Sequence, residues 1–345
     1  MLKIPPVLVA GSLPTALAPM QDVTDLSFMR LLAEFGLPDY FFTEYFRVHD
    51  HSILEPHILA SVIQHDTGRP VFAQMIGEDL FHLKRTAVAL QDYPIAGIDL
   101  NMGCPAPKVY RKNVGGGLLR DPDKVRQIFA TLRDCIKGRF TVKMRIGFED
   151  DRHYEEILNL VNEYRIDNLS IHGRTVKQMY RGAVDYERIG KAVRMVNCPV
   201  FANGNITSAE KAEAVLTETG CYGAMVGRSA IRNPWIFRQI REHSTGQAVF
   251  IPTLSDVRGY IESLWQINAN PDLPEHNRLN RMKKLLNFVG QGVDPDGQFL
   301  HEMRRAREPA LFFAICDKWL VDLERADLPF ATEPYAGVVA RPNHE

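Results

Sequence analysis

The chain has 345 residues, with 41 Lys+Arg against 42 Asp+Glu and a formal net charge of −1. That balance excludes a globally basic nucleic-acid-coating protein, so any polyanion contact must come from local patches. The length and a 45% hydrophobic content support a core without disulfide staples, and no apolar run reaches the roughly 20 residues of a membrane span.

The first stretch, MLKIPPVLVAGSLPTALAPM, has the outline of a secretory leader: one lysine, an apolar run, then Ala-Leu-Ala. Pro5, Pro6, Gly11 and Pro14 break the helix that a leader needs. The expectation is a strand at its end and a cytoplasmic location. Eight short apolar runs then follow one plan: TALAPM (15–20), YFFTEY (40–45), PVFAQMIG (70–77), GIDLNMG (97–103), FTVKMRIG (140–147), NLSIHGR (168–174), CPVFANGNI (198–206) and YGAMVGR (222–228). Continuous apolar runs, rather than alternating ones, suit parallel strands buried on both faces.

Helix patterns lie between the runs. DPDKVRQIFATLRDCI sets Val125, Ile128, Phe129, Leu132 and Ile136 on one helical face, and SAEKAEAVLTETG opens on a capping serine and closes on glycine. Eight strand-then-helix units predict a TIM (β/α)8 barrel. A doubly wound sheet is the alternative. It is weakened because the glycines of VGGGLLR do not follow a strand and lack the third glycine of the dinucleotide fingerprint. Beyond Ile251–Pro252, LSDVRGYIESLWQINA, HNRLNRMKKLLNFVG and FLHEMRRAREPALFFAICDKWL read as helices without strands between them. The predicted division is a barrel over 1–250, a small C-terminal α-helical domain over 251–330 and a tail over 331–345.

The five cysteines (104, 135, 198, 221, 316) are odd in number and form no C-x-x-C pair. No structural metal is expected, and a reducing compartment is. Cys135, Cys198, Cys221 and Cys316 read as small core residues. Cys104 stands apart, at the end of a strand and ahead of two prolines and three consecutive glycines. A loop of that composition is expected to move and cover the mouth.

In a TIM barrel the chemistry sits at the carboxyl ends of the strands. Those ends carry Pro19 and Met20, Gln74, Asn101 and Cys104, Lys143 and Arg145, His172 and Arg174, Asn203-Gly204-Asn205, and Gly227-Arg228. So many polar groups converging on one mouth predict a site. Glycines after the last two strands suit a phosphate cradle. A lysine and a glutamine on inner strands suit a planar, electron-rich phosphorylated cofactor.

LAPMQDVTD, VFAQMIG, GIDLNMGCPAPKV, TVKMRIG, IHGRT, ANGNI and MVGR, in that order, resemble the tRNA-dihydrouridine synthases, FMN-dependent TIM-barrel reductases. The resemblance spans nearly the whole barrel. It implies reduction of the uridine C5=C6 bond in tRNA: NADPH reduces FMN, the flavin delivers hydride to C6, and Cys104 protonates C5. It implies flavin contacts from Ala18, Pro19, Met20, Gln74, Lys143 and His172, and a phosphate site from Asn203, Gly204, Asn205, Gly227 and Arg228. Asn101 and Arg174 would face the substrate. The asparagine after Asn203-Gly204 departs from the acidic group common in the family and would act through its backbone. A thiol with its usual value near 8.5 is mostly protonated at neutral pH, which suits an acid. TEYFRVHD resembles the C-type branch, which acts at tRNA position 16.

A uridine inside folded tRNA must be extruded, so affinity must come from phosphate contacts elsewhere. Arg111-Lys112, then Arg278, Arg281, Lys283 and Lys284 on one predicted helix and Arg304, Arg305 and Arg307 on another supply local basic patches. A monomer is expected. Two other readings share parts of the pattern: an FMN reductase of a free pyrimidine, resembling dihydroorotate or dihydropyrimidine dehydrogenases, and a non-enzymatic tRNA-binding factor.

Overall fold

The computed structural model describes residues 5, 7, 9–269, 272, 274–322 and 324–340, and the chain divides into two compact units. The first holds the described residues of Met1–Met29, Pro38–Ile206 and Glu210–Gly227; the second holds those of Arg30–Leu37, Thr207–Ala209 and Arg228–Glu345. The division falls at Gly227–Arg228, ahead of Ile251–Pro252 where the sequence pattern changes. Pro6 and residues 341–345 of the expected tail lie outside the described residues.

The first unit is a closed parallel barrel. Its strands are β1 (Thr15–Leu17), β2 (Tyr40–Phe42), β3 (Phe46–Arg47), β4 (Val71–Ile76), β5 (Gly97–Met102), β6 (Phe140–Arg145), β7 (Asn168–His172), β8 (Val200–Asn203) and β9 (Gly223–Val226). β1 pairs with β2, β2 with β4, and β4 to β9 pair in succession. β9 returns to β1 with Thr15 opposite Ala224, so eight strands close a ring. The two-residue β3 was not foreseen. It lies beside the end of β4, with Phe46 opposite Met75, where Thr43–Tyr45 interrupt the second strand. At that interruption the Thr43 hydroxyl accepts from Gln74 N–H (3.1 Å) and donates to the Glu44 carbonyl (2.7 Å), satisfying a ladder group that would otherwise be orphaned.

Side chains two apart on a strand share a face. Tyr40, Phe42, Phe72 and Phe201 pack with Ala16, Ala18 and Met225 in one buried apolar cluster. One pleat further along the same faces come Gln74 after Phe72 and Asn203 after Phe201. On β5 and β6 the matching pairs are Asp99 with Asn101 and Thr141 with Lys143. The inner face therefore runs from an apolar floor to a polar mouth at the strands' carboxyl ends.

Helices follow the strands: α1 (Leu26–Phe35), α2 (Pro56–Ile63), α3 (Leu80–Leu90), α4 (Pro107–Tyr110), α5 (Pro122–Cys135), α6 (Tyr154–Glu163), α7 (Tyr186–Met195) and α8 (Ala209–Thr219). Val125, Ile128, Phe129 and Leu132 form the buried stripe of α5, as their spacing predicts. Aspartates at 79, 121 and 185 cap α3, α5 and α7 by accepting from the N–H three residues on.

The second unit carries α9 (Arg228–Arg232), α10 (Ile236–Ser244), α11 (Leu254–Ile267), α12 (Glu275–Val289), α13 (Gln298–Arg305) and α14 (Pro309–Leu320). Phe35 meets Trp235 and Tyr260 edge-on, each at 5.2 Å. Thr253 and Asp256 form a capping box on α11. The 299–320 run splits at Ala306–Glu308, because Pro309 lacks an N–H and opens a new helix instead.

Replacing Phe72 by alanine should remove the floor of the barrel. Its ring stacks on Phe42 at 4.9 Å and meets Tyr40 edge-on. We expect a loss of about 3–5 kcal/mol, measured by chemical denaturation.

Candidate active site

Cys104 lies two residues past β5, in a turn held from several directions. Asn101 Oδ1 accepts from the N–H of Gly103 (3.0 Å) and of Cys104 (2.9 Å). Arg145 Nε donates to the Gly103 carbonyl (2.9 Å), and Gly116 N–H donates to the Cys104 carbonyl (3.2 Å). The glycine run expected to form a mobile cover is instead a buried 3-10 helix, Gly115–Arg120, packed on this turn. A Cβ on Gly116 would stand 2.5 Å from a Val176 methyl and 2.8 Å from the Cys104 carbonyl oxygen; one on Gly115 would stand 3.1 Å from Cys104 Cβ. These glycines permit close approach.

Burial pushes the Cys104 thiol up, while the Ala106 N–H, Arg145, Tyr45 and Lys143 pull it down; burial prevails. The group is therefore a protonated thiol at neutral pH. The Tyr45 phenol beside it is also pushed up by burial and by Cys104.

Below the turn lies a chain of buried polar groups. Asn101 Nδ2 donates to Gln74 Oε1 (2.8 Å), and Gln74 Nε2 donates to Asp99 Oδ2 (2.7 Å). The Thr141 hydroxyl donates to Asp99 Oδ1 (2.6 Å). Neither Gln74 nor Asp99 has any solvent exposure. Burial raises Asp99 to about 6 despite its bonds to Thr141 and Gln74 and the nearby Lys143. Lys143 is lowered to about 8, first by burial, then by the Arg145 charge, with Asp99 and Cys104 opposing. Its Nζ donates to Asn203 Oδ1 (3.1 Å), and Asn203 Nδ2 donates to the Met225 carbonyl (2.7 Å).

Gly204 has φ +120°, and a Cβ there would lie 3.1 Å from both Val184 methyls and 3.4 Å from His172 Nε2. Asn205 follows with φ 47°. Two consecutive positive φ values turn the backbone sharply past β8, the first tolerated by glycine and the second by asparagine. A Cβ on Gly227 would lie 3.6 Å from Ala18 Cβ and 3.8 Å from Met20 Sδ, so the ends of β9 and β1 meet there. Pro19 stands between those two residues, partly buried. Arg228 opens α9 in the second unit.

The predicted residues on β4 to β8 thus come together, with roles that spacing does not reveal. Both polar ends of the Asn101 amide are engaged by protein, so only one N–H is left to offer. Arg174 is buried, its guanidinium donating to the Gly182 carbonyl (3.0 and 2.7 Å) and lying 3.4 Å from Asn205 Oδ1. Asp99, Thr141 and Tyr45 enter the site without having been singled out for it, and Arg145, expected at the mouth, is spent on the Gly103 carbonyl. The inward period-two spacing of Asp99 and Asn101 was the available signal for the first.

In the second unit the basic side chains divide. The Arg278 guanidinium lies 3.8 Å from the Trp265 ring centroid and donates to the Trp265 carbonyl. Arg304 donates to Asn287 Oδ1 (2.7 Å) and to the carbonyls of Val339 and Ala340. Arg281, Lys284, Arg305 and Arg307 are exposed. Lys283 is lowered by burial and by Arg307, which places those two cations in one patch. Among the described residues there is no cluster that could hold a metal ion, and no helix is long and apolar enough to cross a membrane.

Residues 16–270 match the family model described as Dihydrouridine synthase (Dus). The chain is 35% identical to the tRNA-dihydrouridine synthase B of Pasteurella multocida, over 85% of this chain and 88% of that protein. It is 30% identical to the tRNA-dihydrouridine(16) synthase of Neisseria meningitidis serogroup B, over 79% and 84%. The serogroup A counterpart is 28% identical, over 85% and 90%. A closed parallel barrel with a cysteine just past a strand end, a family match over residues 16–270 and matches that run over most of both kinds of relative lead to one conclusion: the chain belongs to the tRNA-dihydrouridine synthase family.

Proposed function

We propose that the protein reduces a D-loop uridine of tRNA to 5,6-dihydrouridine, with FMN as cofactor, NADPH as reductant and Cys104 as the acid. The observation that carries this reading is the placement of the Cys104 thiol at the end of β5, held by the backbone bonds of its own turn and set near the partly buried Lys143. Position 16 is the uridine we put first: TEYFRVHD resembles the branch acting there, and two relatives carry that position in their names.

The residues present suit FMN. Lys143 offers a partly buried cation to an electron-rich ring, and Gln74 an N–H edge. His172, Asn203, Gly204, Asn205 and Gly227, with Ala18, Pro19 and Met20 along β1, would hold the rest. The side-chain-free backbone at Gly204 and Gly227 can approach a phosphate closely. When bound, FMN supplies the electron pair that reduces the C5=C6 bond, and NADPH restores it. Cys104 Sγ–H gives its proton to C5. Arg145 and Lys143 stabilise the thiolate left behind, which then takes a proton from solvent. Asn101 offers its remaining Nδ2–H to a uracil carbonyl. Exposed cations of the second unit would contact tRNA phosphates.

Unmodified tRNA, incubated with the enzyme and NADPH, should gain dihydrouridine at position 16, while free uridine and orotate should not react. Conversion of the free pyrimidines without RNA would overturn the tRNA reading. Cys104→Ala should retain bound flavin and its reduction by NADPH, yet lose about 10²–10⁴-fold in turnover. Cys104→Ser should recover little, because a hydroxyl is a far weaker acid. Anaerobic single-turnover reoxidation by tRNA checks both variants.

Lys143 is cationic below about 8 and neutral above it. FMN affinity should therefore be retained at pH 6.5 and weaken as pH rises through about 8. Lys143→Met should bind more weakly at low pH and lose this dependence; fluorescence titration measures both.

Reversing charge at Arg281, Lys284, Arg305 and Arg307 should weaken tRNA binding and reduce the salt slope by about one unit per lost phosphate contact. The flavin spectrum should not change. Filter binding across a salt series reads the slope.

A further inference from the structure

We propose that Asp99 is a positioning residue that sets which way the amides of Gln74 and Asn101 point, and thereby holds the turn that presents Cys104. The N–H groups of Gly103 and Cys104 are fixed donors, so the group that meets both must be the Asn101 carbonyl oxygen. That leaves Asn101 Nδ2 facing Gln74, which must answer with its own carbonyl oxygen, at 2.8 Å. Gln74 Nε2 then points down at residue 99, which must accept. Thr141 donates to the other oxygen of the same carboxylate. A carboxylate is the side chain that accepts at both oxygens and donates at neither. Were residue 99 a donor toward Gln74, that amide would turn over, and the Asn101 amide with it. The N–H groups of Gly103 and Cys104 would then face an NH2. Gln74 and Asp99 have no solvent exposure and Asn101 is buried, so a mismatch among them is costly. The consequence is a mouth in which both amides offer only N–H groups, suited to a ring that presents carbonyl oxygens.

The inference rests on the proposed role of Cys104 only for its catalytic consequence, so its test needs no tRNA. The readout is the rate of Cys104 alkylation by iodoacetamide in the flavin-loaded protein, followed by peptide mass mapping between pH 6 and pH 9. Asp99→Ala, with cooperative melting confirmed, should expose the thiol and speed alkylation about five-fold, the worth of one net hydrogen bond. Should that variant not fold, a swap of polarity decides. Gln74→Glu sets a second carboxyl against Asp99 across a 2.7 Å contact. Two carboxyls that close share one proton, so the chain of bonds survives at low pH and fails as pH rises. Adding Asp99→Asn should cancel that rise: the new amide donates to the new carboxylate, which still accepts from Asn101. Wild-type alkylation in folded Asp99→Ala, or identical pH profiles for Gln74→Glu with and without Asp99→Asn, would overturn the proposal. A protein that passes this test yet makes no dihydrouridine would sink the functional reading and leave the Asp99 assignment standing.

Discussion

Asp99 carries a carboxyl group with no solvent exposure, and burial by itself would drive that group toward its neutral form. It stays in the carboxylate range near neutrality because Thr141 and Gln74 donate to its two oxygens and the Lys143 charge lies nearby. Each partner is thereby constrained in turn. Gln74 can offer only its carbonyl upward, Asn101 only its carbonyl to the turn, and Lys143 retains a countercharge that opposes its own desolvation. Removing any one member leaves a buried donor or acceptor unmet, which is costlier than the bond itself is worth. The layer therefore acts as a unit, and the thiol sits on top of it.

The strands supply the rigidity that this layer requires. One inward face carries Phe72 then Gln74, and another carries Phe201 then Asn203. The apolar floor is close-packed aromatic surface, and the next pleat is hydrogen-bonded polar surface. Groups mounted on paired strands keep their spacing better than groups on loops. Cys104, which lies on a loop just past β5, is tied back by Asn101, Arg145 and Gly116. Gly115 and Gly116 matter here as space, since a methyl group at either would press on the turn or on Val176.

A net charge near zero is compatible with an RNA substrate when cations are sorted by what they already bind. Arg278 and Arg304 are committed to Trp265, Asn287 and the carbonyls of the C-terminal stretch. Burial lowers both below the usual arginine range. Side chains such as Arg281, Lys284, Arg305 and Arg307 remain at the surface. A run of arginines in a sequence thus mixes internal clamps with outward charges.

Hydrophobic period, helix caps and turn residues are local properties. For that reason all eight barrel strands, the stripe on α5 and the helical second half could be read from the order of residues alone. The motifs around Gln74, Asn101, Lys143 and His172 were legible on the same basis, because each is a short segment with its own pattern. Partnership was not. That Asn101 donates to Gln74 on β4, and that Asp99 receives bonds from β4 and β6, depend on inter-strand register. Register brings together residues 25 to 42 positions apart, as with Gln74 and Thr141 on either side of Asp99. A side chain's polarity is written in the sequence, but the direction in which it is used is decided only when the closed barrel puts a particular donor opposite a particular acceptor.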